Sequence, residues 1–283
     1  MKRMGAAASR YLTFPTPLIL VGCLLLLPMT AVAQKQQGAN DVYDSGGAQQ
    51  GSTAFIDASM FAGGGLDFCG VLHTILDPQR GFLPATGAVI DARGLPYTTP
   101  STSTICAASP WAGINAYPST ILLPAGTITI PTTWVLPNGT RVIGEGSTNP
   151  YATITAVFQT TIQASSSLTG AMIQFCSSVC AGVTLEDVTL IGNTQAINGI
   201  VNSNAQELSY AKNVAMYQVL GTGLKIFGSA QHSGPYSNIT YDTGNSGIFG
   251  STCASIAISS TAVPGGTRGI HGLTCISDNA STI

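Results

Sequence analysis

The chain has 283 residues, of which only 8% are charged, with 33 Gly, 15 Pro and an apolar share of 45%. Charge this sparse excludes a solvated disordered tail and a coiled coil, both of which rely on abundant charge. A formal net charge of -2 with 10 scattered Lys and Arg excludes a nucleic-acid binder that works through a basic patch.

Lys2, Arg3 and Arg10 precede an apolar stretch, Leu18 to Met29, and Ala31-Val32-Ala33 follows it. A positive start, a short apolar core and a small-residue site read as a secretory signal cut after Ala33. Residues 1–33 are therefore expected to leave a secreted or cell-surface chain, with no stable membrane span remaining. Leu20-Val21-Gly22-Cys23 also fits a lipidation box, but four leucines follow that cysteine and place it inside the apolar core. All 12 acids but only 7 of the 10 bases lie beyond the signal, so the mature chain is acidic. Six cysteines remain, and an even number in an exported chain points to disulfides. Sequence separation alone pairs them as Cys69–Cys106, Cys176–Cys180 and Cys253–Cys275. With no C-x-x-C and no His pair at ligand spacing, no metal site is expected.

Residues 34–54 are polar and rich in Gly and Gln, and read as a flexible linker ahead of one domain, 55–283. Between Leu66 and Asp77, Cys69, Leu72, His73 and Leu76 fall on one helical stripe, with Phe68 and Ile75 beside it, and Pro78 ends it. His73 on such a stripe reads as a packing residue. A short strand follows over residues 87–94. Residues 96–119 are rich in Pro, Ser and Thr and read as a long loop. Residues 119–146 then hold ILL, TITI, WVL and TRVIG, separated by PAG, PTT and PNG, the texture of short strands joined by turns.

From residue 182 the sequence repeats. Glu186-Asp187-Val188-Thr189-Leu190 matches Lys212-Asn213-Val214-Ala215-Met216 and Ser237-Asn238-Ile239-Thr240-Tyr241, at spacings of 26 and 25. A second landmark, Gly199-Ile200-Val201, recurs as Gly223-Leu224-Lys225 and Gly247-Ile248-Phe249, at spacings of 24 and 24. Such a period signals a solenoid, and short strands with turns select a parallel β-helix over helical or leucine-rich repeats. In that arrangement Val188, Val214 and Ile239 stack inside, with Leu190, Met216 and Tyr241. Thr189, Ala215 and Thr240 point outward, with Ile191, Tyr217 and Asp242. Asp187, Asn213 and Asn238 form a corner, where such side chains tolerate the left-handed conformation. Glu186 lies beside Lys212 as a cross-strand ion pair.

Residues 121–146, ILLPAGTITIPTTWVLPNGTRVIGEG, resemble the opening coil of the pectate-lyase superfamily, and more narrowly the domain of rhamnogalacturonase- and epimerase-type proteins. The matching features are Leu122-Leu123-Pro124-Ala125-Gly126, Ile128 to Ile130, Trp134-Val135-Leu136 and Gly144-Glu145-Gly146. The resemblance spans about residues 66–278 and implies an all-β fold: a single-stranded right-handed parallel β-helix with a short N-terminal capping helix. The family's acidic Gly-Asp-Gly-x-x-Asp-Asp-Thr stretch is absent, with Asp91-Ala92-Arg93-Gly94 in its place. So are Asn-Thr-Asp, Asp-Asp, His-Gly-Ser and Arg-Ile-Lys, the polygalacturonase-type set. Hydrolysis of a glycoside normally uses two placed carboxylates.

The resemblance implies a polysaccharide as partner, pectin-like among the candidates, with lyase or hydrolase chemistry as the enzymatic reading. A non-catalytic surface module, adhesin-like, is the alternative. A lyase needs a base and a cation, Ca²⁺ or Arg/Lys, to hold developing charge; no other cofactor is expected. Lys212, Lys225, His232, Arg268 and His271 are the candidate bases and cations. Lys225, His232 and Asp242 are the expected catalytic set, and Tyr217, Arg268 and His271 the expected substrate contacts. The sequence after Asp278 offers no cap, so the open end is expected either to pack on a partner, a second copy included, or to continue into further sequence.

Overall fold

The computed structural model describes residues 54–95, 103–147, 159–229, 232–242, 252–259 and 272–277. The expected signal, nearly all of the expected linker, Arg268 and His271 lie outside these residues. Among these residues are sixteen strands and one α-helix. In chain order they are β1 (Ala54–Asp57), α1 (Phe68–Leu76), β2 (Ala88–Asp91), β3 (Ser103–Ile105), β4 (Thr120–Leu122), β5 (Gly126–Ile130), β6 (Trp134–Leu136), β7 (Arg141–Ile143), β8 (Thr160–Ala164), β9 (Ala171–Phe175), β10 (Thr184–Ile191), β11 (Asn198–Asn202), β12 (Tyr210–Tyr217), β13 (Thr222–Ser229), β14 (Tyr236–Asp242), β15 (Thr252–Ser259) and β16 (Leu273–Ser277).

Every strand pair is parallel. The larger sheet has eleven strands and runs β1-β2-β4-β7-β10-β12-β14-β16, with β3, β5 and β8 joined to it through β10. The smaller has five, in the order β15-β13-β11-β9-β6. From β9 onward the chain alternates between the two sheets, so each strand pairs with the one two places later. Val188, Val214 and Ile239 are in register, as are Leu190, Met216 and Tyr241. All six are at most 1% exposed.

The inward positions break strict alternation. Leu185 and Val188 both point into the core, as do Ala211 and Val214, although three residues separate the members of each pair. A flat strand would place them on opposite faces. Asp187, Asn213 and Asn238 resolve the conflict: each adopts a left-handed conformation, with φ of 56°, 52° and 52°, and resets the phase of its strand. The same bend lets β10 pair first with β7 and then with β8. The three side chains form a ladder, Asn213 Nδ2 donating to Asp187 Oδ1 and Asn238 Nδ2 to Asn213 Oδ1, both at 2.8 Å.

α1 begins where the stripe of apolar residues does. The Asp67 carboxylate accepts from Gly70 N at 2.7 Å and caps the helix. Phe68, Val71, Leu72, Ile75 and Leu76 bury into the same apolar cluster as Ile90 and Ile121. Asp67 also accepts from Ala107 N at 2.6 Å, and the Cys69–Cys106 disulfide fixes α1 to that segment. Cys176–Cys180 and Cys253–Cys275 complete three pairs, matching the sequence reading.

Four details differ from expectation. Part of the 96–119 stretch is not loop: β3 lies within it and pairs with β5. The third copy of the glycine landmark is also displaced. Leu224 is in register with Ala254 and Lys225 with Ser255, not with Ile248 and Phe249, because 30 residues rather than 24 separate these two rungs. Glu186 sits beside Lys212 in register, but its carboxylate turns to Arg141 at 3.2 Å instead. Finally, Thr189, Ala215 and Tyr217 are 0%, 4% and 5% exposed. That stretch of the larger sheet is buried on both faces, as parallel strands often are. Only Thr240, at the same level on β14, is exposed as expected.

Candidate functional site

The residues expected to act together are spread over the fold. Tyr217 and Asp242 are in register on β12 and β14 of the larger sheet. Lys225 belongs to β13 of the smaller sheet, between Val201 and Ser255, with its Nζ 5.3 Å from the centre of the Phe227 ring. Tyr217, Lys225 and Asp242, expected to act on one ligand, therefore belong to two separate sheets. Burial of Tyr217 also removes its ring as an open stacking surface for a sugar. His232 stands in the segment before β14, with Nδ1 3.2 Å from Glu207 Oε1.

A buried polar hub holds the His232 segment in place. Asn202, fully buried, shares the two N–H groups of Nδ2 among Ala205 O, Ser233 Oγ and Tyr236 Oη, all within hydrogen-bond distance, and its Oδ1 accepts from Ala205 N at 2.9 Å. Tyr236 Oη in turn donates to Ser233 Oγ at 2.9 Å. Burial pushes the Tyr236 phenol above its ordinary value. This network satisfies polar groups inside the core and fixes the chain that follows His232.

Charged groups cluster on one stretch of the larger sheet. Arg93 meets Asp91 at 2.8 Å and Glu145 at 3.5 Å. Its hydrogen bond holds the Asp91 carboxyl below the usual carboxylate range, and the same contact raises the Arg93 guanidinium. Alongside, Arg141 and Tyr210 Oη converge on Glu186 Oε1 at 3.2 and 3.0 Å. Burial, then the Glu186 carboxylate, pushes the Tyr210 phenol up. All three carboxylates are paired with arginine on a partly exposed face, where such pairs contribute little to stability. Among the described residues no group of three or more His, Cys, Asp and Glu is placed to hold a metal ion. Nor is any described helix long and apolar enough to cross a membrane.

A concave feature lies elsewhere, beside β6, the end strand of the smaller sheet. A groove of ≈ 720 Å³ runs between residues 108–116, the turn at Pro137 and Asn138, and the disulfide-closed turn from Cys176 to Cys180. Alternation along β6 positions its floor: Trp134 and Leu136 point into the core, so Val135 points out. Trp134 packs edge-on against Trp111, ring centres 5.7 Å apart, which sets the groove's inner wall. Trp111 Nε1 is buried without a hydrogen-bond partner. Val179 is 79% exposed at the mouth.

Among the described residues, no ionisable side chain lines this groove. Its polar side chains are hydroxyls and amides, among them Thr132, Ser177, Ser178, Asn115 and Asn138. The Asn138 amide is oriented by the chain just after the Cys176–Cys180 turn, since Oδ1 accepts from Ala181 N at 3.0 Å and leaves Nδ2 to donate. Such a lining can hydrogen-bond a neutral ligand and cover its apolar faces, and it carries no group for acid–base chemistry. Sequence reasoning did not find these residues. The PNG turn and the cysteine pair around Ser177 were visible, but nothing in the sequence placed them opposite residues 108–116. Comparison with protein-family models, with curated proteins and with solved structures found no match.

Proposed function

We propose that the protein is an exported right-handed parallel β-helix of the pectin-lyase-like kind that binds an extracellular polysaccharide along the groove beside β6. The observation that carries this reading is the groove's lining of amides, hydroxyls and apolar side chains, with no ionisable group among the described residues. Chain alternation between two all-parallel sheets, with paired strands 24 to 37 residues apart from β9 onward, supports the β-helix, and so does the resemblance of residues 121–146. Three disulfides support an oxidising destination. A neutral groove suits a neutral glycan, or a pectin whose carboxyls are esterified, better than a polyuronate. Binding without turnover is the expected activity. The lyase and hydrolase readings need an acid and a base brought together, and Lys225, His232 and Asp242 are distributed over separate elements.

The test is a screen of the mature chain against esterified and de-esterified pectins, alginate and neutral glycans. Binding, ultraviolet-absorbing lyase products and new reducing ends are followed separately. Binding of a neutral or esterified polymer, lost in Val179→Asp and weakened in Asn115→Ala and Ser178→Ala, is expected. Turnover, or binding untouched by all three variants, would overturn the reading.

A further inference from the structure

A second depression, of ≈ 560 Å³, opens on the other side of the rim formed by residues 112–115. It lies between the end of α1 and the 112–117 segment, and its lining is of a different kind. His73, Asp77 and Tyr117 contribute ionisable groups, with the amides of Gln79 and Asn115 beside them.

His73 is held in one tautomer. Its Nδ1 lies 3.0 Å from Pro110 O, and a carbonyl only accepts, so Nδ1 carries the proton. In the neutral ring the lone pair then stays on Nε2, and the half-buried imidazole forms no other hydrogen bond among the described residues. Asp77 follows four residues later as the residue that ends α1, its backbone N–H bonding to His73 O at 3.0 Å. One Asp77 oxygen accepts from Gln79 N at 3.0 Å, and the other is 3.6 Å from Arg80 Nε, outside the lining.

We propose that this pocket binds one neutral sugar residue, whose hydroxyls donate to His73 Nε2 and the Asp77 carboxylate and accept from Tyr117 and the amides. Its chemistry narrows the ligand. An anion would meet a carboxylate with no lining cation. A metal ion would find two ligands of the kind it prefers, against the usual three or four. An apolar ligand would strand the polar groups. The size falls within the usual range for small ligands. The proposal rests on the glycan reading of the neighbouring groove, because the shared rim makes the bound unit an end residue of the same chain.

The mature protein has three histidines, so ¹⁵N-imidazole spectra resolve His73 once His232→Gln and His73→Gln assign the signals. The unliganded spectrum should show the Nδ1–H tautomer for His73. Titration with free galactose and rhamnose should move the His73 Nε2 signal saturably at millimolar concentration and leave His232 in place. Tyr117→Phe should weaken that titration by about threefold or more, the loss of one hydrogen bond. Val179→Asp, which targets the groove, should leave it unchanged. A His73 in the Nε2–H tautomer, no response to either sugar, or a response to galacturonic acid alone would overturn the proposal. Failure of the polymer screen with a surviving monosaccharide titration would remove the groove and keep the pocket. Should His73→Gln not fold, the His232→Gln spectrum and the Tyr117→Phe titration decide the matter alone.

Discussion

Replacement of Asn213 by alanine tests the ladder that bends three strands. Asn213 donates to Asp187 and accepts from Asn238, so alanine deletes two side-chain hydrogen bonds. The sites are partly exposed, and the pair together contributes about 1–2 kcal/mol. Alanine must also hold φ near 52°, which costs a residue with a β-carbon about 1 kcal/mol more than asparagine. The expected loss is about 2–3 kcal/mol, or roughly 5–10 °C in Tm for a domain of this size. Asn213→Gly separates the two contributions, because glycine loses the hydrogen bonds yet accepts the conformation. It should be about 1 kcal/mol less destabilising than alanine in parallel urea and calorimetric unfolding. Equal losses for the two variants would show that the bend stores no conformational preference. A loss below about 0.5 kcal/mol in both would show that the ladder does not hold the strands.

Three further outcomes are expected. Removing Cys69 and Cys106 together should cost about 4 kcal/mol and removing Cys176 and Cys180 about 2, because the loops closed span 37 and 4 residues; denaturant midpoints in the reverse order would count against this. Gly223→Ala should prevent folding or cost several kcal/mol, since an added Cβ would stand 2.8 Å from both Cys253 O and the Tyr241 ring; a circular dichroism melt like that of the parent would show that the turns separate easily. Tyr210 and Tyr236 have raised pKa values in the folded chain, so stability they confer is present below the ordinary value near 10 and falls as pH rises above it. Tyr236→Phe should therefore melt lower at neutral pH yet lose stability less steeply above about pH 10, and identical slopes would contradict the burial of its hydroxyl.

The sequence was most legible where one residue type solves one local problem at a fixed interval. Asp187, Asn213 and Asn238 recur because each strand needs a left-handed residue at the same level, and Val188, Val214 and Ile239 recur because each then fills the same layer. The cysteine pairs were readable from separation alone. The landmark at Gly247 misled because glycine followed by an apolar residue is a weak signal, and the rung is carried by Cys253 and Ala254 instead. Tyr217 misled for another reason: alternation assigns a residue to a face but says nothing of what covers that face. The groove and the His73 pocket were invisible because both depend on where residues 108–117 come to rest. His73 was read as packing from its helical stripe, and it does sit beside buried neighbours, but its Nδ1 contact to Pro110 O required the fold to be seen.

The uneven spacing of the rungs on the smaller sheet has a consequence for how this chain can change. Ile200 to Leu224 takes 24 residues and Leu224 to Ala254 takes 30, yet the strands continue in step across both intervals. Length added between strands is thus absorbed without retuning the sheets, whereas one residue inserted within a strand would exchange its two faces. Connections between strands are where insertions can accumulate, and where a foreign peptide could be grafted with the flanking registers intact.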